Sequence, residues 1–448
     1  MSCIKFLDLK GVKRFFSKVA RALWGEITPN EYKKFGILSA ALFCIIGSYW
    51  MVRTMKNAIF CKVVGSMYLP YAKIVSLIFM ILLVLFYGKL VDWFKRHRLI
   101  YIMATTYGCL YLLITLMMLH PTIGLANTVP SKYRLFGWIT YLVIESFGSL
   151  VVALFWSFVA SSMDSAAAKK GFPVILFGAQ FGSVLGNILN LQLASRIGLP
   201  ILFFIASLGV FLVPFIIAFF MKIFGPTMPK LPKVEQKSTG PVEGLKLLLT
   251  KKYLLGILGV STLYEVVATV IDFRMNSIAN QAYSSAEKLT EFLAIYGLAA
   301  NVLALLFVFI GTSFLIRRFG LTFCLVTFPV TVGCLVLGTW AYPTLWSLLA
   351  AMVVLKGLTY ALNNPSKDIM YVPTSKDIKF KAKSWIDCFG SRSAKSVGSG
   401  VSAAFPIMAN LVVFGSIISL GVVGVWIAIA FFVGNTNKKL VDSGLILE

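Results

Sequence analysis

The sequence is poor in acid and in histidine. Only 17 Asp and Glu stand against 42 Lys and Arg, and the 448 residues hold two histidines, His97 in a basic run and His120 beside Pro121. With no His-Glu-x-x-His pair and no Gly-x-Ser-x-Gly elbow, the common zinc- and serine-hydrolase constellations are excluded. The seven cysteines (Cys3, Cys44, Cys61, Cys109, Cys324, Cys334, Cys388) are odd in number and scattered, with no Cys-x-x-Cys spacing. That pattern supports neither a disulfide framework nor a metal knuckle, and they read as small apolar fillers. Neither an enzyme nor a cofactor is expected.

Charge of either sign is scarce: 13% of residues are charged and 58% hydrophobic, with a mean hydropathy of +0.86. What is abundant is apolar sequence in runs of about 20 residues, the length that crosses a hydrocarbon core about 30 Å thick. Twelve such runs are read near 35–58, 68–90, 99–119, 135–161, 172–194, 199–221, 252–280, 289–316, 321–341, 344–364, 384–408 and 411–433. The first is expected to be retained, because the basic N-terminus lacks the cleavage site of a signal peptide.

The net charge of +25 is explained by where the cations lie. Lys and Arg concentrate in the N-terminal tail, the even-numbered loops ("KRHR", "AKK", "KDIKFKAK") and the C-terminal tail, while the odd-numbered loops hold few. By the positive-inside rule both termini are expected in the cytoplasm. No loop interleaves aromatics with a basic patch, so nucleic acid is not expected as a partner. The first 25 residues mix Lys and Arg with Phe, Leu and Val, as a helix lying on an anionic membrane surface does.

The domain reading follows: a cytoplasmic amphipathic segment over 1–34, a six-helix half over 35–221, a Pro- and Lys-rich linker over 222–251, a second six-helix half over 252–433, and a cytoplasmic tail over 434–448. A shift of 212 residues lays "FGAQFGSVLG" (Phe177 to Gly186) on "FGSRSAKSVG" (Phe389 to Gly398). Gly178, Gly182 and Gly186 then fall on Gly390, Ala394 and Gly398, two small-residue ridges of the kind that let helices approach closely in lipid. "GKLVDWFKRHRL" (Gly88 to Leu99) resembles the loop between the second and third helices of the major facilitator superfamily, and "GTSFLIRRFG" (Gly311 to Gly320) is its echo without the acid. The expected fold is an all-α polytopic membrane protein, with 12 transmembrane helices in a 6+6 major-facilitator-like architecture around a central cavity.

Ten charges inside these spans are not explained by the topology: Arg53, Lys56, Glu145, Glu265, Asp272, Arg274, Lys356, Asp387, Arg392 and Lys395. Each costs about 2.5–3.5 kcal/mol at a span centre unless it faces a cavity or a partner. Structural alternatives exist for several: snorkelling for Arg53 and Lys56, a helix end for Arg274, a salt bridge at the cytoplasmic mouth for Asp387. At about 100° per residue, Ser384, Asp387, Ser391, Arg392, Lys395, Ser399 and Ser402 occupy a sector of roughly 140°. Arg, Lys and hydroxyls on one face suit a phosphate or carboxylate group. "GSRSAKS" (Gly390 to Ser396) is no P-loop: its first Gly is one residue too close to Lys395, Ala394 replaces the second Gly, and no strand precedes it.

These residues carry a wider resemblance. "NNPSKDIMYVPTSKDIKFKAKSWIDCFGSRSAKSVGSG" (Asn363 to Gly400) is similar to the signature of the ATP/ADP translocase-type nucleotide transporters of intracellular bacteria and plastids. "NEYKKFGILSAALFCIIGSYWMVRTMKNAIF" resembles that family's first span, with Arg53, Lys56 and Asn57 at its Arg-x-x-Lys-Asp. "ESFGSLVVALFWSFVASSMDSAAAKKGFPVIL" resembles its fourth and fifth spans through Glu145, Phe155 and Trp156. The resemblance implies carriage of nucleotides without hydrolysis, ATP against ADP with phosphate, in a bacterial inner membrane. It also implies functional charges at Lys56, Glu145 and Lys395. The family's span-seven acid followed by Trp-Lys is matched only loosely by Asp272-Phe273-Arg274.

The expected phosphate-binding set is Arg53, Lys56, Arg392 and Lys395. Glu145, Asp272, Arg274 and Asp387 are expected to pair charges or couple transport, and the chain to act as a monomer in contact with lipid. Two alternatives stay open, a nucleotide–proton symporter and a facilitator-type carrier of another organic anion or cofactor; a scaffold without transport is a third.

Overall fold

The computed structural model describes residues 28–163, 165–225, 246, 248–310, 318–375, 378 and 383–443. Most of the amphipathic segment and most of the linker expected from the sequence lie outside them, as does most of the Gly311–Gly320 echo. The described elements are helical: α1 (Pro29–Phe60), α2 (Leu69–Trp93), α3 (Arg96–Leu119), α4 (Leu135–Ser162), α5 (Ser165–Ile197), α6 (Leu199–Phe224), α7 (Lys252–Ala282), α8 (Ala286–Ile310), α9 (Leu321–Ala341), α10 (Leu345–Leu358), α11 (Ser391–Ala404) and α12 (Met408–Ser443). π-helical turns follow α1 (Cys61–Gly65) and α10 (Thr359–Asn363), the latter continuing into a short helix (Asn364–Met370), and a further π-turn (Ile386–Gly390) leads into α11.

Local chemistry sets the starts. Thr28 and Glu31 form a reciprocal capping box around Pro29, with Thr28 N–H donating to Glu31 Oε2 at 2.7 Å, so α1 begins inside the segment expected as its cytoplasmic lead-in. Thr344 and Ser347 cap α10 in the same way. Length and apolarity identify nine membrane-crossing segments among the described residues, the first of which, Pro29–Leu90, holds both α1 and α2. α10 falls short in length, and α11 has the composition of a polar helix.

α12 passes the boundary expected at 434. Asn437 is buried and donates to Tyr253 Oη at 2.8 Å, so the polar end of α12 stays helical because it packs on α7 rather than meeting water. Leu85, Leu116, Phe215, Phe323 and Val425 are exposed on outward faces, a surface that lipid solvates.

The two small-residue ridges have matching jobs. Gly182 on α5 lies so close to α1 that a Cβ there would stand 2.6 Å from the Phe43 carbonyl oxygen. Gly398 on α11 lies so close to α7 that a Cβ would stand 2.5 Å from the Val266 carbonyl oxygen. The pairs α1–α5 and α7–α11 are therefore similar packings, one among α1–α6 and the other among α7–α12, and these two sets of helices meet where α5 contacts α8 and α2 contacts α11.

Candidate functional site

Between the two sets lies a cavity of about 310 Å³, within the size of small-ligand sites. Arg53, Lys56, Lys73, Lys356, Arg392 and Lys395 line it, against the carboxylates Glu145, Glu265 and Asp272. Six cations against three acids leave three positive charges in excess.

The carboxylates are taken. Lys56 Nζ lies 2.5 Å from Glu145 Oε2 and 4.2 Å from the centre of the Tyr141 ring. Lys73 Nζ lies 2.6 Å from Asp272 Oδ2, and Asn276 Nδ2 donates to Asp272 Oδ1 at 3.1 Å. Glu265 Oε1 accepts from Tyr264 Oη at 2.7 Å and Ser391 Oγ at 3.2 Å, with Lys395 Nζ at 3.8 Å. The remaining cations have neutral neighbours or none. Arg53 is stacked 4.7 Å from the Trp50 ring centre, near Tyr49, and Arg392 donates to Ser149 Oγ.

Hydrogen bonds between described residues join the two helix sets. Arg392–Ser149 crosses the cavity itself. A cluster gathers near the ends of α1 and α7: Asn57 Nδ2 donates to Asn276 Oδ1 at 3.3 Å, Lys73 to Asp272, and Lys62 Nζ to the carbonyls of Asn280 (2.9 Å) and Tyr283 (2.6 Å). There Lys62 caps the carbonyl end of α7, where a cation is favoured. A further bond, from Ser195 N–H to Glu291 Oε1 at 3.1 Å, ties the end of α5 to the start of α8.

Of the residues expected from sequence, Arg53, Lys56, Arg392, Lys395, Glu145 and Asp272 line this one cavity. Arg274 does not. It is buried in the second helix set, donating to the Thr339 carbonyl at 2.9 Å and Ser416 Oγ at 3.3 Å, with no carboxylate within ion-pair reach among the described residues. Two positions after Asp272 on a helix, its side chain points about 200° away. The side chain of Asp387 lies outside the described residues. The expected polar sector of span eleven also breaks up. Ser391, Arg392 and Lys395 face the cavity, but Ser399 and Ser402 are buried among helices, and the Ile386–Gly390 π-turn ends the constant 100° step on which that sector depends.

Sequence pattern alone does not single out Lys73. It lies one turn into α2, where a lysine reads as a span-end charge, and its one signal is a cation placed on the face that the positive-inside rule leaves poor in them. Nor does it single out the aromatic lining of Tyr49, Trp50, Tyr141 and Tyr296, because such residues are ordinary in any span.

The family model for the TLC ATP/ADP transporter matches residues 10–436. The chain is 22% identical over 450 residues to the ADP,ATP carrier protein 1 of Rickettsia prowazekii, covering 88% of this chain and 90% of that protein. Among solved structures it is similar to the nucleoside transporter NupG, with a TM-score of 0.58 and 16% identity over 92% of this chain and 99% of that one. It is also similar to a peptide transporter POT in complex with sulfate, with a TM-score of 0.60 and 13% identity over 94% and 98%. The fold is that of the major-facilitator-type transporters.

Proposed function

The chain belongs to the TLC ATP/ADP transporter family, and from that premise we propose that the inter-half cavity is where a nucleotide's phosphates are held. The protein is a multi-pass membrane transporter that carries nucleotides and not an enzyme. The observation that carries the site is the excess of three positive charges around one cavity between the halves. Uncompensated cations at membrane depth are costly, and a polyphosphate supplies the missing charge.

Arg53 offers a planar fork from α1, Arg392 and Lys395 stand opposite on α11, and Lys56 follows one turn after Arg53. Glu145 and Asp272 act as counter-ions, Glu145 for Lys56 and Asp272 for Lys73. They keep the empty site neutral enough to persist. Arriving phosphates compete for Lys73, and the Asp272 carboxylate thereby freed loosens the contact between helix sets, so that binding favours the change of access.

With both termini on the cytoplasmic side of a bacterial inner membrane, the latch of Asn57, Lys62 and Lys73 against Asp272, Asn276 and the carbonyl end of α7 closes the outer end. Alternating access requires it to part. The boundaries at 221/222 and 251/252 separate the two bodies that rock, in a carrier that works as a monomer.

Uptake of labelled ATP into proteoliposomes tests the reading. Uptake that requires internal ADP indicates exchange, and uptake abolished by an uncoupler indicates proton symport. No uptake of any nucleotide, by protein that remains folded, overturns the proposal.

A further inference from the structure

Lys356 stands apart from the other cavity cations. It lies on α10 one turn after Met352, and these two residues present that helix to the cavity just before the Thr359–Asn363 π-turn. Among the described residues it has no ion pair and no hydrogen bond, whereas Lys56, Lys73 and Lys395 each have a carboxylate and Arg53 and Arg392 each have a hydroxyl. Glu265 and Asp272 act on it only from beyond ion-pair distance, and both are already hydrogen-bonded to other groups. An ammonium left without a counter-ion at membrane depth is stabilised by an anion from outside the protein.

Charge counting gives that anion its class. A terminal phosphate carries about −1.5 to −2 at pH 7, and each further phosphate in a chain adds about one negative charge. A nucleoside monophosphate is therefore matched by Arg53 and Arg392 alone. The third excess cation is matched only by a diphosphate or triphosphate. We propose that Lys356 is the specificity-determining residue that makes the cavity select nucleoside di- and triphosphates over monophosphates, its flexible stem bringing a point charge to the far end of the phosphate chain. This rests on the nucleotide reading of the cavity.

The test is competition by AMP, ADP and ATP against labelled ATP on the purified full-length protein, for wild type, Lys356→Gln and Lys356→Arg, with the melting temperature of each empty protein alongside. Lys356→Gln is expected to weaken ADP and ATP about tenfold or more while AMP stays within about twofold, with Lys356→Arg keeping the wild-type order. The empty Lys356→Gln protein is expected to melt no lower than wild type, because it loses an uncompensated charge. An equal loss for all three nucleotides, an unchanged ATP-to-AMP ratio, or a lowered melting temperature with uniform loss overturns the assignment while leaving nucleotide carriage standing. A folded wild type that binds none of the three removes the nucleotide reading and this assignment together.

Discussion

In the first half of the molecule Lys56 lies 2.5 Å from Glu145 and against the Tyr141 ring, and its side chain is only 9% exposed. In the second half Lys395 lies 3.8 Å from Glu265, and its side chain is 38% exposed. The acids differ as well. Lys56 is the one cation in contact with Glu145 among the described residues, whereas Glu265 also accepts from Tyr264 and Ser391, and those two hydrogen bonds remain if Lys395 leaves. The two lysines therefore divide the labour: Lys56 is held in place by its carboxylate, and Lys395 is kept in reserve for a ligand.

The largest expected effect breaks the tight pair. Glu145→Gln leaves Lys56 buried without its counter-charge and should cost about 3–5 kcal/mol of stability in the empty protein, read as a fall in melting temperature, with Lys56→Met/Glu145→Leu recovering most of it. An unchanged melt would show that the pair is not what holds Lys56. Next, Arg392→Gln should cost about 1.5–3 kcal/mol of phosphate binding, about 10–150-fold in ATP affinity, with little change in the melt of the empty protein. If stability falls and affinity does not, the phosphate-binding reading of Arg392 is wrong.

Asp272→Asn should weaken the latch by about 1.5–3 kcal/mol and shift the resting population toward the outward-open state by about tenfold or more. Labelling of Leu77→Cys in the cavity lining by an impermeant thiol reagent added outside should accelerate accordingly. The smallest effect is the sharpest on the comparison. Glu265→Gln still accepts from Tyr264 and Ser391 and removes only a long contact to a partly exposed lysine, so it should cost about 1 kcal/mol or less. A loss as large as that of Glu145→Gln would erase the distinction between the halves.

The membrane class is legible at once, since apolar runs and the cost of charge in lipid are read one segment at a time. The same local cost singles out Arg53, Lys56, Glu145, Asp272, Arg392 and Lys395 from their positions in the chain, and these line one cavity. It singles out Arg274 equally, and there it misleads. A buried guanidinium satisfied by the Thr339 carbonyl and Ser416 has the same sequence signature as one that faces a ligand. Lys73 shows the opposite limit: one turn inside a span it looks like an ordinary end charge, although its ammonium bridges the helix sets.

The paired ridges at Gly182 and Gly398 mark the boundary between the two kinds of information. Their spacing is visible as a repeat. That each one seats its helix against the first helix of its own set follows only from the contacts with Phe43 and Val266.

That this chain spans a membrane, that it repeats a small-residue spacing, and that it places charges at membrane depth can all be read from the order of its residues. Hydrophobic length, small-residue spacing and desolvation cost are properties of a segment and its solvent. Which cation meets which carboxylate, and which is left over, is fixed by how the helices pack. Lys73 finds Asp272 across 199 positions and Lys56 finds Glu145 across 89. An ion pair depends on distances of a few ångströms between helices, which no single segment encodes.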